Sequence, residues 1–141
     1  MTGPARTAPT TPTVLIVDDE ASLRRVLERA LTARGYRVLS AATGETAYDL
    51  LATEQADALL LDVSLPMMSG LALYLAIVHH WPALDGRIAI MTGDPEGDEI
   101  AGWREQHRCT VIRKPFDLQE ILDWVAVTLR LRGRDLEAGN G

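Results

Sequence analysis

Four ionised side chains follow short apolar runs of this sequence, and their types could support phosphoryl chemistry around a metal ion. They are Asp18, Asp19, Asp62 and Lys114. If the runs are parallel strands with helices on both faces, the carboxyl ends of the strands meet at one edge, where such sheets bind ligands. Three carboxylates gathered there would repel one another and lower stability unless a hard divalent cation lay among them. The pattern therefore predicts a magnesium and phosphoryl site.

The composition of the chain favours one compact domain with an acidic surface. A length of 141 residues and a hydrophobic content of 47% fit a single domain that buries its own core. A net charge of -6 argues against a direct nucleic acid partner, because phosphate backbones require a clustered positive face. Arg24, Arg25 and Arg29 do cluster, but Glu20 and Glu28 accompany them, so a solvated helix face is expected there.

Cysteine content and hydropathy bear on the location of the protein. The single cysteine, Cys109, excludes an internal disulfide framework and suits a reducing compartment. No stretch approaches the roughly 20 apolar residues that a membrane span requires, and the first residues lack the apolar middle of a signal peptide. The expected location is the cytoplasm, with no membrane partner.

Short apolar runs alternate with longer segments of helical period, which is typical of strand–helix units around a parallel sheet. The predicted strands are about 14–17, 36–41, 58–62, 87–91 and 110–112. The predicted helices include segments at about 21–34, 71–80 and 96–107. A further helix is predicted to begin at the cap Thr43, and the last one, after the cap Asp117, is predicted over about 118–131. The predicted fold class is therefore α/β, with a doubly wound, five-stranded parallel sheet.

Both ends of the chain are predicted to be flexible tails around one domain. Residues 1–12 contain three prolines, which prevent a stable helix and favour an extended segment. Residues 133–141 are expected to be equally loose, so the predicted domain spans residues 13–132. No effector domain fits after Leu131, and a stand-alone domain is therefore expected.

On these residues, the sequence resembles the receiver domain of two-component response regulators over about residues 14–131. The matching motifs are Asp18-Asp19, Asp62 with Pro66 and Gly70 after it, Thr92-Gly93, and Lys114-Pro115-Phe116. The resemblance implies a flavodoxin-like (βα)5 fold with strand order 2-1-3-4-5. It also implies a two-component or phosphorelay protein that accepts a phosphoryl group from a sensor histidine kinase or a histidine phosphotransfer protein. Such a protein catalyses its own phosphorylation and dephosphorylation without being a conventional enzyme.

The resemblance also implies roles for the matched residues. Asp62 is the expected phosphoacceptor, because an ionised aspartate can attack as a nucleophile without a base and form an acyl phosphate. The expected Mg2+ ligands are Asp19, Asp62, the backbone carbonyl of Ser64 and Asp18, with Asp18 acting either as a direct ligand or as the anchor of a bound water. Thr92 and Lys114 are expected to contact the phosphoryl oxygens, since phosphoryl transfer relies on position and electrostatics. Asp94 and Ser64, two residues after Thr92 and Asp62, are expected to set the lifetime of the acyl phosphate.

Signal output is expected through the face formed by the fourth helix, fifth strand and fifth helix, which would bind a downstream protein or a second copy of the chain. The apolar residues expected to be exposed on this face are Ile100, Trp103, Trp124, Val127 and Leu131. Receivers often carry Tyr or Phe three residues before the lysine, and this chain has Val111 there. An aromatic switch coupled to Thr92 is therefore not expected.

Two other functions stay open on the sequence. The chain could be a receiver-like interaction or dimerisation module whose output does not depend on phosphorylation. Partner binding that is insensitive to the phosphoryl mimic beryllofluoride would favour this hypothesis. It could also be a flavodoxin-like cofactor carrier or a small phosphatase. The loop after Val17 is acidic, however, whereas an anionic phosphate would require free backbone amides there.

Overall fold

The computed structural model describes residues 11–107 and 109–140 of the chain, with side chains described as far as Arg130. The strands are β1 (Thr13–Val17), β2 (Arg37–Ala41), β3 (Ala58–Asp62), β4 (Ile88–Thr92) and β5 (Thr110–Arg113). The helices are α1 (Ala21–Ala33), α2 (Gly44–Thr53), α3 (Gly70–His80), α4 (Asp98–Gln106) and α5 (Leu118–Asn140), with a short 3-10 turn at Pro82–Leu84. The predicted tail over residues 1–12 lies outside the described residues, apart from Thr11 and Pro12.

All five strands are parallel and lie in the order β2-β1-β3-β4-β5, which confirms the predicted fold class. In this register Val17 lies opposite Ala41 and Leu61, and Asp62 lies opposite Met91. Parallel strands run in one direction, so all five carboxyl ends face the same edge of the sheet. The residues that follow β1 and end β3 are therefore neighbours in space.

Two hydrophobic clusters cover the two faces of the sheet. The strands β1, β3 and β4 are buried along their whole length, as expected for parallel strands with helices on both sides. One cluster packs α2, α3 and α4 against strand residues such as Leu15 and Leu61. The other packs α1 and α5 against residues such as Ile16 and Leu60. Consecutive strand residues thus enter opposite clusters, as the alternation of side chains along a strand requires.

Capping side chains determine where two of the helices begin. The Oγ1 of Thr43 accepts a hydrogen bond from the amide of Thr46 at 3.1 Å, so the predicted cap of α2 is confirmed. The Oδ1 of Asp117 accepts one from the amide of Gln119 at 2.9 Å, at the predicted start of α5. Both helices therefore begin within a few residues of the carboxyl edge of the sheet, which keeps the loops around that edge short.

The largest departure from the predicted boundaries is at the last helix. The sequence predicts an end near Leu131 and a loose segment from Gly133, whereas α5 continues to Asn140. A glycine inside a helix costs only about 1 kcal/mol relative to alanine, and the residues around Gly133 are mostly good helix formers. The limits of the domain stay a prediction. No helix in the described part of the chain, α5 included, combines the length and apolar character that a bilayer-spanning segment needs.

Candidate active site

Three carboxylates converge at the carboxyl edge of the sheet. Asp18 and Asp19 follow β1, and Asp62 is the last residue of β3, which pairs with β1. One carboxylate oxygen from each of the three lies within 4.8 Å of the other two. Asp18 is fully buried and Asp62 nearly so, while Asp19 is exposed to solvent. The structure therefore brings together the three acids that the sequence indicates, with one of them facing the solvent.

Lys114 supplies the positive charge of the group. Its Nζ lies 2.7 Å from Oδ2 of Asp18 and 3.4 Å from Oδ2 of Asp62. The backbone of Lys114 is held at the end of β5, where its amide donates to the carbonyl of Thr92 at 2.7 Å. It is the only lysine among the 14 lysine and arginine residues of the sequence. A lysine places a compact point charge on a flexible stem, which suits a site where one ammonium serves two acids.

The surroundings change how readily two of these groups ionise. Burial raises the pKa of the Asp62 carboxyl, and the charge of Asp18 adds to this, while the amide of Ser64 and the ammonium of Lys114 oppose the shift. Burial lowers the pKa of the Lys114 ammonium, but its interactions with Asp18 and Asp62 outweigh burial and leave that pKa above its ordinary value. Lys114 is therefore charged at neutral pH, and the site resists the ionisation of Asp62.

The turn between β1 and α1 holds Asp18 from several sides. The Oδ1 of Asp18 accepts a hydrogen bond from the amide of Glu20 at 2.9 Å. The guanidinium of Arg24 donates from Nη1 to the backbone carbonyl of Asp18 at 2.7 Å. The sequence predicts that Arg24 belongs to a solvated helix face, and for this residue the prediction is wrong. Arg25 and Arg29 are exposed as expected.

The loop between β3 and α3 fixes the backbone around Asp62. The Oδ1 of Asp62 accepts a hydrogen bond from the amide of Ser64 at 3.1 Å, and the amide of Gly70 donates to the carbonyl of Val63 at 2.8 Å. A Cβ on Gly70 would lie 2.1 Å from the carbonyl oxygen of Asp62, far inside van der Waals contact. Only glycine therefore allows the first turn of α3 to pass this close to Asp62. The role of the Ser64 carbonyl stays a prediction.

Thr92 ends β4 at the same edge, one residue after the partner of Asp62 in the register. Its side chain is buried, and its Oγ1 accepts a hydrogen bond from the amide of Asp94 at 3.0 Å. A cavity of about 240 Å³ adjoins it. The cavity is lined by Val63, Thr92, Asp94, Gly97, Asp98, Glu99 and Ile100. The loop from β4 into α4 therefore has open space beside it, bordered by Thr92 and by Val63, the residue after Asp62.

The prediction of an exposed apolar surface on α4 is wrong. Ile100 is 4% exposed and Trp103 is 9% exposed, because both pack into the cluster that α2 and α3 share. The Trp103 ring lies against Tyr74, with ring centroids 5.0 Å apart. Val111, at the position where an aromatic residue is often found, is half-buried against the same cluster. This face of α4 therefore contributes no exposed aromatic or large aliphatic side chain at these positions.

On α5, the expected apolar surface is present in part. Val127 is 49% exposed, and Trp124 is half-buried with its Nε1 donating to Oγ1 of Thr110 at 3.1 Å. The side chain of Leu131 lies outside the described residues. Among the residues whose side chains are described, the apolar surface next to β5 is therefore smaller than the sequence predicts and is centred on Trp124 and Val127.

Comparison with known proteins identifies what this chain resembles. Residues 14–126 match a family model described as response regulator receiver domain. The DNA-binding transcriptional regulator NtrC of Klebsiella pneumoniae is 39% identical over 105 residues, which cover 74% of this chain and 22% of that protein. Sporulation initiation phosphotransferase F of Bacillus subtilis (strain 168) is 36% identical over 121 residues, which cover 84% of this chain and 94% of that protein. The chain therefore spans a small part of the first relative and nearly all of the second.

Solved structures show the same architecture. A response regulator from Chloroflexus aurantiacus J-10-fl superposes with a TM-score of 0.72 at 33% identity, over 86% of this chain and 99% of that one. A CheY-like response regulator receiver domain protein from Methanospirillum hungatei JF-1 superposes with a TM-score of 0.81 over 89% of this chain and 99% of that one. At 23% identity, the second likeness supports the fold alone.

Proposed function

The chain belongs to the response regulator receiver family, and we propose that it accepts a phosphoryl group on Asp62 and signals through protein contacts. One observation carries the proposal: carboxylate oxygens of Asp18, Asp19 and Asp62 lie within 4.8 Å of one another, with Lys114 beside them. Acids packed this closely disfavour one another's ionisation unless a cation joins them. Such perturbed, converging groups are typical of a site that binds a ligand and reacts.

Asp62 acts as the nucleophile in this proposal. One of its carboxylate oxygens forms a bond to phosphorus as the bond from phosphorus to the donor's imidazole nitrogen breaks, and the imidazole leaves with that electron pair. No protein base is needed, because the carboxylate attacks in its ionised form. Lys114 favours that form, since its ammonium lies 3.4 Å from Oδ2 of Asp62. The product is an acyl phosphate, which water can later hydrolyse.

The donor set at this edge fits Mg2+. Hard divalent cations prefer oxygen ligands, and three carboxylates here offer oxygens close enough to share one ion. The residues that would hold it are Asp18, Asp19, Asp62 and, through its backbone carbonyl, Ser64. When bound, Mg2+ neutralises the charge of the acids and of the phosphoryl oxygens.

Thr92 and Lys114 connect the phosphorylated site to the rest of the fold. Their backbones are joined by the hydrogen bond from the Lys114 amide to the Thr92 carbonyl. A phosphoryl group on Asp62 adds negative charge and acceptor oxygens, so it favours a state in which both side chains turn toward it. Thr92 begins the loop into α4, and the cavity beside that loop gives the loop room to repack. This route needs no aromatic residue at Val111.

The proposed partners are proteins. The donor is a sensor histidine kinase or a histidine phosphotransfer protein, and the output is docking of a downstream protein or of a second copy of the chain on α4, β5 and α5. Trp124 and Val127 provide the apolar part of that face. The net charge of -6 speaks against a direct nucleic acid contact. The single cysteine supports a cytoplasmic location.

A phosphorylation-independent interaction module is less well supported. Such a module would dock through the apolar residues expected to be exposed on α4 and α5, and Trp103 among them is buried against Tyr74. The close packing of the three acids also has no purpose in a module that only docks, because it costs stability.

Incubation of the purified chain with acetyl phosphate and Mg2+, followed by intact mass measurement, tests the proposal. The wild type is expected to gain one phosphoryl group, and Asp62→Asn is expected to gain none. Asp49→Asn, at an exposed position of α2, is the matched control for the loss of one carboxylate and should be labelled like the wild type. Chelation of Mg2+ should abolish labelling. Equal labelling of Asp62→Asn and the wild type would refute the proposal.

A further inference from the structure

The orientation of Asp19 depends on its backbone. Asp19 is the exposed acid of the three, and it makes no hydrogen bond or ion pair with another residue in the described part of the chain. Its carboxylate nevertheless lies within 4.8 Å of those of Asp18 and Asp62. With no side-chain partner among the described residues, the direction in which the Asp19 side chain leaves the main chain is set by the two flanking peptide groups, and each of these is held by a hydrogen bond.

Arg24 holds the first of these peptide groups. The carbonyl of Asp18 belongs to the peptide bond that enters Asp19, and it accepts the 2.7 Å hydrogen bond from Nη1 of Arg24. The amide of Glu20 belongs to the peptide bond that leaves Asp19, and it donates to Oδ1 of Asp18 at 2.9 Å. With both peptide planes fixed, the Cα–Cβ bond of Asp19 has one direction.

We propose that Arg24 is a positioning residue for the proposed metal site: by holding the Asp18–Asp19 peptide it aims the Asp19 carboxylate at the other two acids. This inference rests on the proposed function. Arg24 lies on the first turn of α1, where its amide donates to the carbonyl of Glu20 at 3.1 Å. The helix start therefore sets the distance of the guanidinium from the end of β1.

The guanidinium of Arg24 suits this task better than an ammonium would. It is planar and presents its donors in a fixed geometry, so a bond to a carbonyl constrains direction as well as distance. Its positive charge, by contrast, repels a cation bound among the acids, so loss of the charge alone would strengthen Mg2+ binding, and weaker binding in Arg24→Gln reports lost positioning. Groups that orient metal ligands are typically worth about 10- to 100-fold in metal affinity. An effect near the lower end is expected here, because Arg24 is only half-buried.

The test is Mg2+ binding to the full chain by titration calorimetry, without any phosphoryl donor. Arg24→Gln is expected to weaken Mg2+ binding by about 10-fold, and Arg24→Lys, which keeps the charge and a donor, is expected to restore part of the loss. Arg25→Gln is the matched control, because the adjacent arginine is exposed and has no described hydrogen bond to the site. The thermal midpoint of each variant is measured as well, so that partial unfolding is not mistaken for weaker binding.

The possible outcomes separate this inference from the proposed function. If the wild type binds Mg2+ and Arg24→Gln binds it as tightly as Arg25→Gln does, Arg24 has no positioning role and the metal site stands. If Arg24→Gln binds Mg2+ more weakly than Arg25→Gln at an unchanged thermal midpoint, and Arg24→Lys restores part of that loss, the positioning role is supported. If the wild type itself binds no Mg2+, the proposed metal site fails, and the inference fails with it.

Discussion

The Nζ of Lys114 lies 2.7 Å from Oδ2 of Asp18, although the two residues are 96 positions apart in the sequence. The contact joins the loop after β5 to the end of β1, with β3 and β4 between these strands in the sheet. Asp18 is fully buried, and its carboxylate is paired with this ammonium. The same ammonium also lies near Asp62, and the pair therefore couples the stability of the fold to the proposed phosphoacceptor.

Replacing Lys114 is expected to destabilise the protein. Lys114→Met leaves the buried carboxylate of Asp18 without its cation, and a loss of about 2 kcal/mol is expected, less than for a fully buried pair because the Lys114 side chain is 23% exposed. Urea unfolding of Lys114→Met, Asp18→Asn and the double variant measures the coupling between the two. A coupling of about 1 kcal/mol or more is expected. Additive effects would show that the pair contributes nothing to stability.

The two glycines Gly70 and Gly102 are expected to respond to alanine in opposite ways. Gly70→Ala places a Cβ 2.1 Å from the carbonyl oxygen of Asp62 and should cost about 3 kcal/mol of unfolding free energy. Gly102 lies inside α4 with nothing within 4 Å of its Cβ position, so Gly102→Ala should stabilise the protein by up to about 1 kcal/mol. Thermal unfolding of both variants measures this. Equal effects at the two positions would contradict the described approach of α3 to Asp62.

The contribution of Asp62 to the unfolding free energy is expected to depend on pH. Its pKa is raised in the folded protein, mainly by burial, so the folded state holds more protons than the unfolded state between the ordinary and the raised pKa. The unfolding free energy therefore falls as pH rises through that window, and above the window this loss of unfolding free energy is complete. Without Mg2+, Asp62→Asn should be more stable than the wild type at neutral pH, and the difference should shrink as pH falls through the window.

Asp49→Asn controls for the general effect of removing one negative charge, because Asp49 is exposed on α2. Chemical unfolding across acid to neutral pH is the measurement. Two results would contradict the burial of the Asp62 carboxylate. One is a higher unfolding free energy of Asp62→Asn that persists unchanged at acid pH, and the other is a lower unfolding free energy of this variant at neutral pH.

Asp94 is expected to influence the lifetime of the acyl phosphate. Its amide donates to Oγ1 of Thr92, so its exposed side chain starts beside the proposed phosphoryl site. A carboxylate there can accept a hydrogen bond from an attacking water, and Asp94→Ala should slow the decay of phosphorylated protein by about 3-fold, roughly 0.7 kcal/mol of barrier. Ser64→Ala, two residues after Asp62, tests the other side of the site. Decay rates equal to that of the wild type in both variants would exclude a role for these positions.

Much of the fold and of the acidic group follows from simple features of the sequence. Each strand is a short apolar run, and a parallel sheet collects all the strand ends at one edge. The position of a polar residue that ends or follows such a run can therefore be predicted without knowledge of packing, which is why Asp18, Asp62 and Lys114 are expected to lie close together at that edge. The cap Thr43 follows from residue type alone.

Other features depend on packing that the sequence does not encode locally. Trp103 lies in a helix with a weak apolar pattern, and its burial depends on where Tyr74 and His107 stand in the folded protein. The bond from Arg24 to Asp18 depends on the geometry of a turn and on one side-chain conformation. A basic residue on the first turn of the helix after an acidic strand end is the only sequence signal for such a contact, and it is weak.

Chemical mapping of the modified residue tests the central claim most directly. The chain is treated with acetyl phosphate and Mg2+, reduced with borohydride, which converts an aspartyl phosphate to homoserine, and digested for sequencing by mass spectrometry. Homoserine at position 62, and none at positions 18 or 19, is the predicted result. Homoserine at another aspartate, or none in a chain that binds Mg2+, would contradict the assignment of Asp62 as the phosphoacceptor.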